Sequence, residues 1–580
     1  MFQEVRSDLE EQLDVALSEI DLNDIDHSLD VNTHPSEERG DLSTPLAFQA
    51  AQIAERAPNE ISEELSAQEF NHPLLDSVSA DGPYVNFHLD EPHFAKHTVD
   101  HIQESREEYG SGDSDRLIVE DVSSPNIAKP LHIGHLRNTV MGDALSNVLE
   151  HRGNEVIKDN HLGDWGGQFG NLMYAFDQWG NKNKLEEQPI EHLLELYQKV
   201  GQKEAELQDQ GSEEELEALR GKGREWFSRL EEGDERATEL WEKFRDVSIE
   251  RFEETYNRLG VEFDEWIGES FYVMNGWTDE IVEEALEDGV ARKGDNGSVI
   301  IDLEPNHGED SNEFVILTSE GTTLYPTRDL AAIDFREEEF GQDEALYVVA
   351  SEQDEYFQDL FEAAGLMGYD SDSLEHISYG MISLPEGSMS TRRGQIITAR
   401  EVLDETYEKA LDIVNENNPE LENDVAAEIA EEIALGAVKY ENVKVSRDKN
   451  ITFDMDQATS FNENSGPYIQ YAARRAESIL EDADDLASMP DHPVLDENDT
   501  QLARSLAVYP LALERAEESY DPAPVAHYLF DLSQDFNSFY HENRVLGSET
   551  EKERLALTDA THEVLNNGLG VLGINTVDKM

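Results

Sequence analysis

Apolar residues recur at helical spacing near the start of the chain. Val5 and Leu9, with further apolar residues at the same spacing, fall on one face of a predicted helix. Residues 84–87 (Tyr-Val-Asn-Phe) are typical of a strand, and the polar stretch 111–115 is typical of a linker. The pattern therefore predicts an N-terminal α/β module over residues 1–112.

A strand, a loop and a helix follow the linker, in the order that begins a βαβ unit. The apolar run at residues 117–122 predicts a buried strand, and a helix begins near His132. Residues from about 180 to 265 are helical and highly charged, which is typical of an insertion between the two halves of a sheet. The pattern predicts a Rossmann-type α/β domain over residues 113–400.

Strand-like runs return after the insertion, and only helical patterns follow them. The runs lie at residues 298–301, 314–317 and 345–349. We therefore expect the second half of the sheet at roughly 270–400 and an all-α domain over residues 401–580. The complete chain is expected to be a multidomain α/β protein.

The charge of the chain allows two interpretations. The net charge is -87, with 43 Lys and Arg against 130 Asp and Glu, and 38% of the residues are hydrophobic. High charge with low hydrophobicity is typical of disordered chains. In molar salt, however, the Debye length falls to about 3 Å and exposed carboxylates no longer repel at a distance. Because aromatic residues and apolar periodicity persist throughout, we favour a folded protein from a salt-saturated cytoplasm.

Several classes of protein are excluded by what the sequence lacks. The chain has no cysteine, which excludes disulfides, thiolate metal sites and a cysteine nucleophile. The N-terminal residues show no basic segment followed by an apolar run, and no stretch reaches the roughly 18–20 apolar residues that span a bilayer. We expect a soluble cytoplasmic protein with no membrane partner.

The candidate chemistry lies in residues 123–135 (Ser-Ser-Pro-Asn-Ile-Ala-Lys-Pro-Leu-His-Ile-Gly-His). A helix N-terminus has free N–H groups and a positive dipole end, so it binds anions. His132 and His135 can donate hydrogen bonds to phosphate oxygens, and Gly134 lets a flat base approach the backbone. A short motif of this kind, taken alone, is more often two surface histidines that cap a helix.

Four further blocks favour a functional role for the two histidines. Together with residues 123–139 they resemble the class I aminoacyl-tRNA synthetases, and the arginyl-tRNA synthetases in particular. The blocks that carry the resemblance lie at residues 123–139, 159–170, 268–272, 323–331 and 466–472. The first 110 residues are similar to the N-terminal extension of that family. The resemblance implies a ligase that activates arginine with ATP and esterifies it to tRNA(Arg), in an acidic variant of haloarchaeal type.

The side chain of arginine determines which residues the expected pocket needs. A guanidinium keeps its proton and presents a planar fork of donors, so carboxylates are the matching acceptors. The resemblance implies that Asp329 and Asp121 lie near it. Tyr325 precedes Asp329 by one helical turn, so its ring can cover the guanidinium. The residues implied at the backbone end of the amino acid are Ser124, Asn126, Gln353 and His135.

A second signature departs from the pattern of the class. Residues 388–394 (Ser-Met-Ser-Thr-Arg-Arg-Gly) stand where Lys-Met-Ser-Lys is usual, and Ser388 replaces the first lysine, which neutralises charge on the leaving pyrophosphate. In similar arginyl enzymes a lysine before the first histidine is thought to replace it. Lys129 fits, and Arg392 or Arg393 can share the role. The ATP contacts implied are His132, Gly134, His135, Met389 and Ser390.

The resemblance also implies the reaction and its partners. The arginine carboxylate attacks the α-phosphate of ATP in line, and the ribose hydroxyl of tRNA then attacks the adenylate, so positioning and electrostatics carry catalysis. Mg²⁺ is expected to accompany ATP, and no protein-held metal is expected. In this family tRNA is typically required for the first step, and the monomer is the norm.

The C-terminal region resembles an anticodon-binding bundle. Phosphate contacts weaken steeply with salt, so we expect recognition by stacking, base edges and shape. Residues 454–466 resemble a loop that contacts tRNA in relatives. The basic candidates are Lys439, Lys444, Arg447, Lys449, Arg474 and Arg475. The aromatic candidates, most of which helical spacing assigns to the core, are Tyr440, Phe453, Phe461, Tyr468 and Tyr471.

Two other classes of function compete with this one. The first is a nucleotidyltransferase of the same superfamily without an RNA partner, for which a large helical C-terminus has no use. The second is a catalytically silent RNA-binding paralogue, against which Asn126, His132, His135 and Asp329 argue because all four are intact.

Overall fold

The computed structural model describes residues 2–22, 25–32, 39–304, 312–385, 397–483 and 487–577. The chain divides into two compact units, which we call the central unit and the terminal unit. The central unit comprises Ser114–Glu405 and Arg447–Asp454, and the terminal unit comprises Met1–Asp113, Thr406–Ser446 and Met455–Met580. The N-terminal module and the C-terminal helices thus belong to one compact unit. The predicted boundaries at residues 112 and 400 stay a prediction.

The helices and strands are numbered here in chain order. The strands are β1 Asp30–Val31, β2 Leu42–Thr44, β3 Leu75–Asp81, β4 Tyr84–Leu89, β5 Leu117–Asp121, β6 Glu155–Asp159, β7 Ala291–Lys293, β8 Val299–Leu303, β9 Asn312–Leu317, β10 Glu344–Ala350, β11 Leu374–Tyr379, β12 Ile382–Ser383 and β13 Ile451–Thr452. The helices are α1 Phe2–Glu19, α2 Ala47–Ala54, α3 Pro58–Ser66, α4 Glu91–Ser105, α5 Ile133–His151, α6 Gly167–Trp179, α7 Lys182–Glu187, α8 Pro189–Asp209, α9 Glu213–Glu231, α10 Glu235–Leu259, α11 Glu269–Met274, α12 Trp277–Glu287, α13 Tyr325–Glu339, α14 Asp354–Met367, α15 Ala399–Asn417, α16 Asn423–Val443, α17 Met455–Ala458, α18 Gly466–Glu481, α19 Glu497–Ala507, α20 Tyr509–Ser519, α21 Ala523–Glu542 and α22 Glu551–Val571.

A four-stranded parallel sheet forms the centre of the central unit, in the order β11-β10-β5-β6. The predicted strand at residues 117–122 is confirmed as β5, and Val119 pairs with both Ile157 and Ala345. The chain leaves β5 for β6 on one side and later returns to β10 on the other. The strand order therefore reverses between β5 and β10, where open α/β sheets bind ligands beyond their carboxyl ends.

The second half of the parallel sheet is smaller than the sequence predicted. Among the described residues after the insertion, β10 and β11 alone join it, whereas β7, β8 and β9 form a separate antiparallel sheet. The prediction that residues 298–301 and 314–317 belong to the main sheet was wrong. The connection from β8 to β9 is short, and parallel pairing needs a crossover of a dozen or more residues.

The charged segment predicted as a helical insertion consists of helices α7 to α10 and packs through aromatic rings on the segment after β6. Phe176 of α6 lies 5.4 Å from Phe244 of α10, and Trp165 lies 5.8 Å from Trp241, between ring centres. The indole N–H of Trp241 donates to the carbonyl of Asp164 at 2.7 Å. The insertion is thereby held against residues that lead to α6.

The terminal unit combines a small antiparallel sheet with helices. The sheet has the order β1-β2-β4-β3, and α1 contributes its apolar face to the adjoining core. Arg504 of α19 donates to Asp41 at 3.0 Å, and the rings of Tyr109 and Tyr509 stack at 6.1 Å. Within the described residues, no helix combines the length and the apolar character that crossing a membrane requires.

Candidate functional site

The loop between β5 and α5 holds an unusual backbone. Ser123, Ser124 and Ala128 have positive φ angles of 70°, 45° and 62°. Residues with a Cβ adopt this region rarely, and the cost persists only where the surroundings enforce it. The loop that the sequence singled out for chemistry is therefore strained in three places.

Buried hydrogen bonds hold this strained loop. The N–H of Ser123 donates to Oδ1 of Asn138 at 2.6 Å, and the amide of Asn138 donates to the carbonyl of Val348 at 2.7 Å. The N–H of Ala128 donates to Oγ of Ser248 on α10 at 2.9 Å. Helix α5, strand β10 and the insertion together position the loop.

Two histidines cap the first turn of α5. The N–H of Gly134 donates to Nδ1 of His132 at 3.1 Å, and the N–H of His132 donates to Nδ1 of His135 at 3.2 Å. Burial and the nearby Lys129 lower the pKa of His132. Burial, followed by the charges of His132 and Lys129, lowers the pKa of His135 to about 3. Both rings are therefore neutral near pH 7 and carry their proton on Nε2, which is left to donate.

A cavity of about 820 Å³ opens at the carboxyl ends of β5 and β10. Nine residues that the sequence singled out line it: Asp121, Ser124, Asn126, His132, Gly134, His135, Tyr325, Asp329 and Gln353. They come from the loop after β5, the start of α5, helix α13 and the segment after β10. The fold thus brings together residues that are more than 200 positions apart in the chain.

Gly163 closes one wall of the cavity by direct contact of backbones. Its N–H donates to the carbonyl of Pro125 at 3.1 Å, and its carbonyl accepts from Ile127 at 3.3 Å. A Cβ at this position would lie only 2.6 Å from Oδ1 of Asn126. The block around Gly163 therefore needs glycine so that Asn126 can stand beside it.

Asp121 has a buried partner that the sequence did not predict. Arg336 of α13 donates to Asp121 at 2.8 Å and to Asp159 at 2.7 Å. The hydroxyl of Ser124 donates to the other oxygen of Asp121 at 2.6 Å. Burial raises the pKa of Asp121, but Arg336, His161 and Ser124 together outweigh it, so the net pKa lies below the usual value. Both oxygens of Asp121 already accept a hydrogen bond.

Asp329 faces the cavity without an arginine partner of the kind that Asp121 has. The hydroxyl of Tyr356 donates to its Oδ2, and the ring of His161 lies 3.9 Å from its Oδ1. Burial raises the pKa of Asp329 above its usual value, although His161 and Tyr356 oppose the rise. Tyr325 is 51% exposed, and its ring centre lies 4.9 Å from that of Tyr356. Asp329 is a partly buried acceptor, with its side chain 23% exposed, and a cationic ligand would stabilise it.

The sequence did not single out three residues of this wall: Glu269, Tyr356 and His161. Glu269 pairs with Arg328 at 3.1 Å, and burial raises the pKa of its carboxyl while Arg328 lowers it. Neither ring nitrogen of His161 has a hydrogen-bond partner among the described residues. Glu269 lies in the family-like block at 268–272 and His161 in that at 159–170, so the blocks could have indicated both residues. Tyr356 lies outside every block, and no sequence pattern indicated it.

Of the other predicted site residues, Lys129 is described by the structure and does not line the cavity. Lys129 lies on the exposed side of the loop, with its Nζ 5.6 Å from the ring centre of Tyr197 on α8. Its charge still acts on the two capping histidines. Met389, Ser390 and Arg392 lie outside the described residues.

Several basic and aromatic residues proposed for RNA contact have internal roles instead. Lys439 is 4% exposed and donates to the carbonyl of Gly573, and Arg447 donates to the carbonyl of Ser378. Tyr440 and Phe453 are fully buried. Arg475 of helix α18 is partly exposed at the surface.

No group of three His, Asp or Glu residues that could hold a metal ion occurs in the part of the chain that the structure describes. Asp121 is committed to an arginine and a hydroxyl partner, and Asp329 accepts a hydrogen bond from the hydroxyl of Tyr356 but has no arginine partner. This donor set suits a cationic organic ligand better than a metal held by protein ligands alone.

Comparisons with known proteins agree along the complete chain. Residues 98–455 match the model of the class I (R) tRNA synthetase catalytic domain, 469–580 the DALR anticodon binding domain, and 7–89 the arginyl tRNA synthetase N-terminal domain. An arginine–tRNA ligase of Halobacterium salinarum is 44% identical over 99% of this chain and 97% of its own. That of Clostridium perfringens is 36% identical, with 97% of each chain covered.

A solved structure has the same fold. The arginyl-tRNA synthetase of Thermus thermophilus superposes with a TM-score of 0.82 at 25% identity, covering 99% of this chain and 100% of that one. The agreement includes the parallel sheet, the N-terminal module and the C-terminal helices.

Proposed function

The chain belongs to the class I arginyl-tRNA synthetase family and charges tRNA with arginine, and from this premise we propose how its residues hold the substrates. The observation that carries the proposal is that the capping histidines of α5 and the partly buried carboxylate of Asp329, which has no arginine partner, share one cavity. The assignment of individual residues below is part of the proposal.

Asp329 is the proposed acceptor for the guanidinium of arginine. Its carboxylate is partly buried, which raises its pKa, and a bound cation would offset the cost of its ionisation. Tyr325 lies one turn earlier on the same helix and can cover the guanidinium plane. Glu269 and Asp121 add negative charge to the cavity, although each already has an arginine partner. Ser124, Asn126 and Gln353 are assigned to the backbone end.

His132 and His135 are the proposed donors to the phosphates of ATP. Both rings accept a backbone hydrogen bond at Nδ1, so each offers an Nε2–H group without adding a charge. Such fixed donors stabilise charge that develops as pyrophosphate leaves, at no cost of reorganisation. Gly134 leaves room for the base, and Mg²⁺ would enter with ATP as part of the substrate. Met389 and Ser390 stay candidates for the same nucleotide.

Lys129 is the proposed cation that replaces the missing lysine of the second signature. It has no carboxylate within 4.0 Å among the described residues, despite the acidity of the chain. Its Nζ lies over the ring of Tyr197, from which it can move at small cost to the phosphates. Arg392 is the second candidate for this role.

The anticodon side of tRNA is proposed to contact the surface around Arg475 in the terminal unit. The guanidinium of Arg475 lies 4.5 Å from the ring of Tyr471 and 4.9 Å from that of Tyr540. These rings are 38% and 40% exposed. A stacked series of two rings and a guanidinium suits unpaired bases, and stacking persists in molar salt. A monomeric state and a cytoplasmic location are also part of the proposal.

The test is ATP–pyrophosphate exchange with each amino acid, with and without tRNA, in concentrated KCl. We expect exchange with arginine alone among the amino acids, and only when tRNA is present. Exchange that needs no RNA would favour a nucleotidyltransferase, and no exchange under any condition would favour a silent paralogue. A Lys129→Met substitution should lower kcat by a larger factor than it raises the KM for ATP. The reason is that the lysine charge is proposed to stabilise the leaving pyrophosphate in the transition state.

A further inference from the structure

Helix α8 of the insertion carries a small surface that we call the Trp179 patch, defined by Trp179, Lys199 and Lys203. The two lysines are four residues apart on α8 and share one face. Their Nζ atoms lie 4.6 and 5.1 Å from the ring centre of Trp179, which ends helix α6. Two cations thus lie over one half-buried indole.

The two lysines stand out because the chain around them is acidic. Four lysines fall between positions 182 and 203, in a chain whose acidic residues outnumber its basic residues by 130 to 43. Among the described residues, neither Lys199 nor Lys203 has a carboxylate oxygen within 4.0 Å. The patch therefore keeps two positive charges that are not neutralised by the protein.

Two glutamates near these lysines on α8 form ion pairs with other residues. Glu195 lies one turn before Lys199, which is the favourable order for an ion pair. Its carboxylate instead contacts Lys184 at 3.0 Å and His192 at 3.3 Å. Glu204, next to Lys203, pairs with Arg220 at 3.8 Å. Glu195 and Glu204 thus pair with other groups, and the two ammonium groups stay available to an external anion.

The position of the patch suggests which anion. Helix α6 begins beside Gln168, which lines the active-site cavity, and ends at Trp179. At 1.5 Å per residue, the helix extends about 18 Å between these points. Tyr197, two residues before Lys199 and on a different face of α8, lies against Lys129 of the histidine loop. A strand whose last ribose enters the cavity would, at about 3.4 Å per stacked nucleotide, reach the patch roughly five nucleotides earlier.

We propose that the Trp179 patch binds the backbone phosphates of tRNA where the unpaired 3′ end meets the acceptor stem. The inference rests on the proposed function, because only an enzyme that charges RNA brings this strand to the cavity. Lys199 and Lys203 contact phosphates, and the face of Trp179 holds both ammonium groups in place in the absence of RNA. Short-range contact of this kind persists in concentrated salt better than long-range attraction.

The experiment compares wild type with the Lys199→Gln/Lys203→Gln double variant in arginine charging, across about 1 to 3 M KCl. We expect the KM for tRNA to rise about 5- to 20-fold with kcat unchanged at saturating tRNA. The slope of log KM against log salt should fall by about 1.4 to 1.8, since each lost phosphate contact removes 0.7 to 0.9. Lys199→Arg/Lys203→Arg should restore most of the affinity.

Two RNA hairpins and one control variant make the assignment specific. The double variant should bind an acceptor-arm hairpin with a free 3′ end more weakly, by the factor seen with tRNA, and an anticodon-arm hairpin as well as wild type does. Lys222→Gln is the control, because Lys222 is exposed on the same insertion but pairs with Glu225 at 2.8 Å. Its tRNA KM should not change.

Failure of this inference is distinct from failure of the proposed function. If wild type charges tRNA with arginine and the double variant has an unchanged KM for tRNA, the patch does not bind the acceptor end. Equal weakening of both hairpins would also overturn the inference, since it would indicate nonspecific attraction. If wild type itself does not charge arginine, the proposed function is the part that fails. Circular dichroism in the same KCl shows that the variants are folded.

Discussion

The active-site cavity and the Trp179 patch use charge in opposite ways. In the cavity, Asp121 and Arg336 are buried and joined by a 2.8 Å contact, and Asp329 is partly buried beside a hydroxyl donor. In the patch, Lys199 and Lys203 are exposed and lie over an aromatic ring without a carboxylate partner. Buried pairs are screened little by salt, whereas exposed charges in molar salt keep mainly their contacts with groups closer than about 3 Å to 4 Å. Specificity for the amino acid and contact with RNA therefore depend on different electrostatic conditions.

Asp329→Ala tests the buried side of this comparison and should have the largest effect. Loss of a buried charge partner costs about 3–5 kcal/mol, so arginine binding should weaken at least about 100-fold while ATP binding is nearly intact. Isothermal titration with each substrate measures both. Tyr356→Phe keeps the carboxylate and loses one donated hydrogen bond, so it should cost only about 10-fold. An Asp329→Ala enzyme that charges normally would refute the assignment.

Asn138→Ala tests whether the hydrogen bonds of Asn138 keep the strained loop, and the cavity residues on it, in position. The variant loses the bonds to Ser123 and Val348. We expect kcat to fall by about 10- to 100-fold, because a small misplacement of reacting groups is costly. Ser248→Ala, which removes one acceptor from Ala128, is the milder companion and should lower kcat a few-fold. Equal kcat values for wild type and Asn138→Ala would mean that the loop holds itself.

The pH dependence of stability reports the burial of His135. Its pKa is lowered from 6.5 to about 3, so the unfolded chain takes up a proton below pH 6.5 that the folded chain does not. Above pH 6.5 His135 is neutral in both states, and the full free energy of unfolding is retained. As the pH falls from 6.5 toward 3, the free energy of unfolding decreases by about 1.4 kcal/mol per pH unit. Denaturant unfolding of wild type and His135→Asn at several pH values measures this. Parallel curves for the two proteins would contradict it.

Salt titration of two Michaelis constants should give the smallest effect and the most direct contrast. Between about 1 and 3 M KCl, the KM for arginine should change by less than about twofold, because the cavity groups are buried. The KM for an acceptor-arm hairpin should rise about sixfold, as expected for about two phosphate contacts. A KM for arginine that rises as steeply as that for the hairpin would remove the distinction between the two regions.

The sequence predicted most of the catalytic scaffold because its signals are local. The strand at 117–122 and the helix after His132 follow from periodicity and a helix-start motif, and both are confirmed as β5 and α5. The strands β8 and β9 were identified but assigned to the wrong sheet, since periodicity does not report a strand's partner. Lys439 was proposed for RNA and is buried, because burial depends on contacts that are distant in sequence.

By itself, the sequence determined the family-like blocks, the absence of cysteine chemistry and several of the strands and helices, such as β5 and α5, because these depend on residue identity and local spacing. Only the tertiary structure decided which carboxylate is free for a ligand. Asp121 and Asp329 look alike in the sequence, yet Arg336 neutralises one and leaves the other under-compensated. It also decided that Lys199 and Lys203 face Trp179 rather than Glu195. The physical reason is that the energy of a charge is determined by burial and by its partners in space, which the order of residues does not specify.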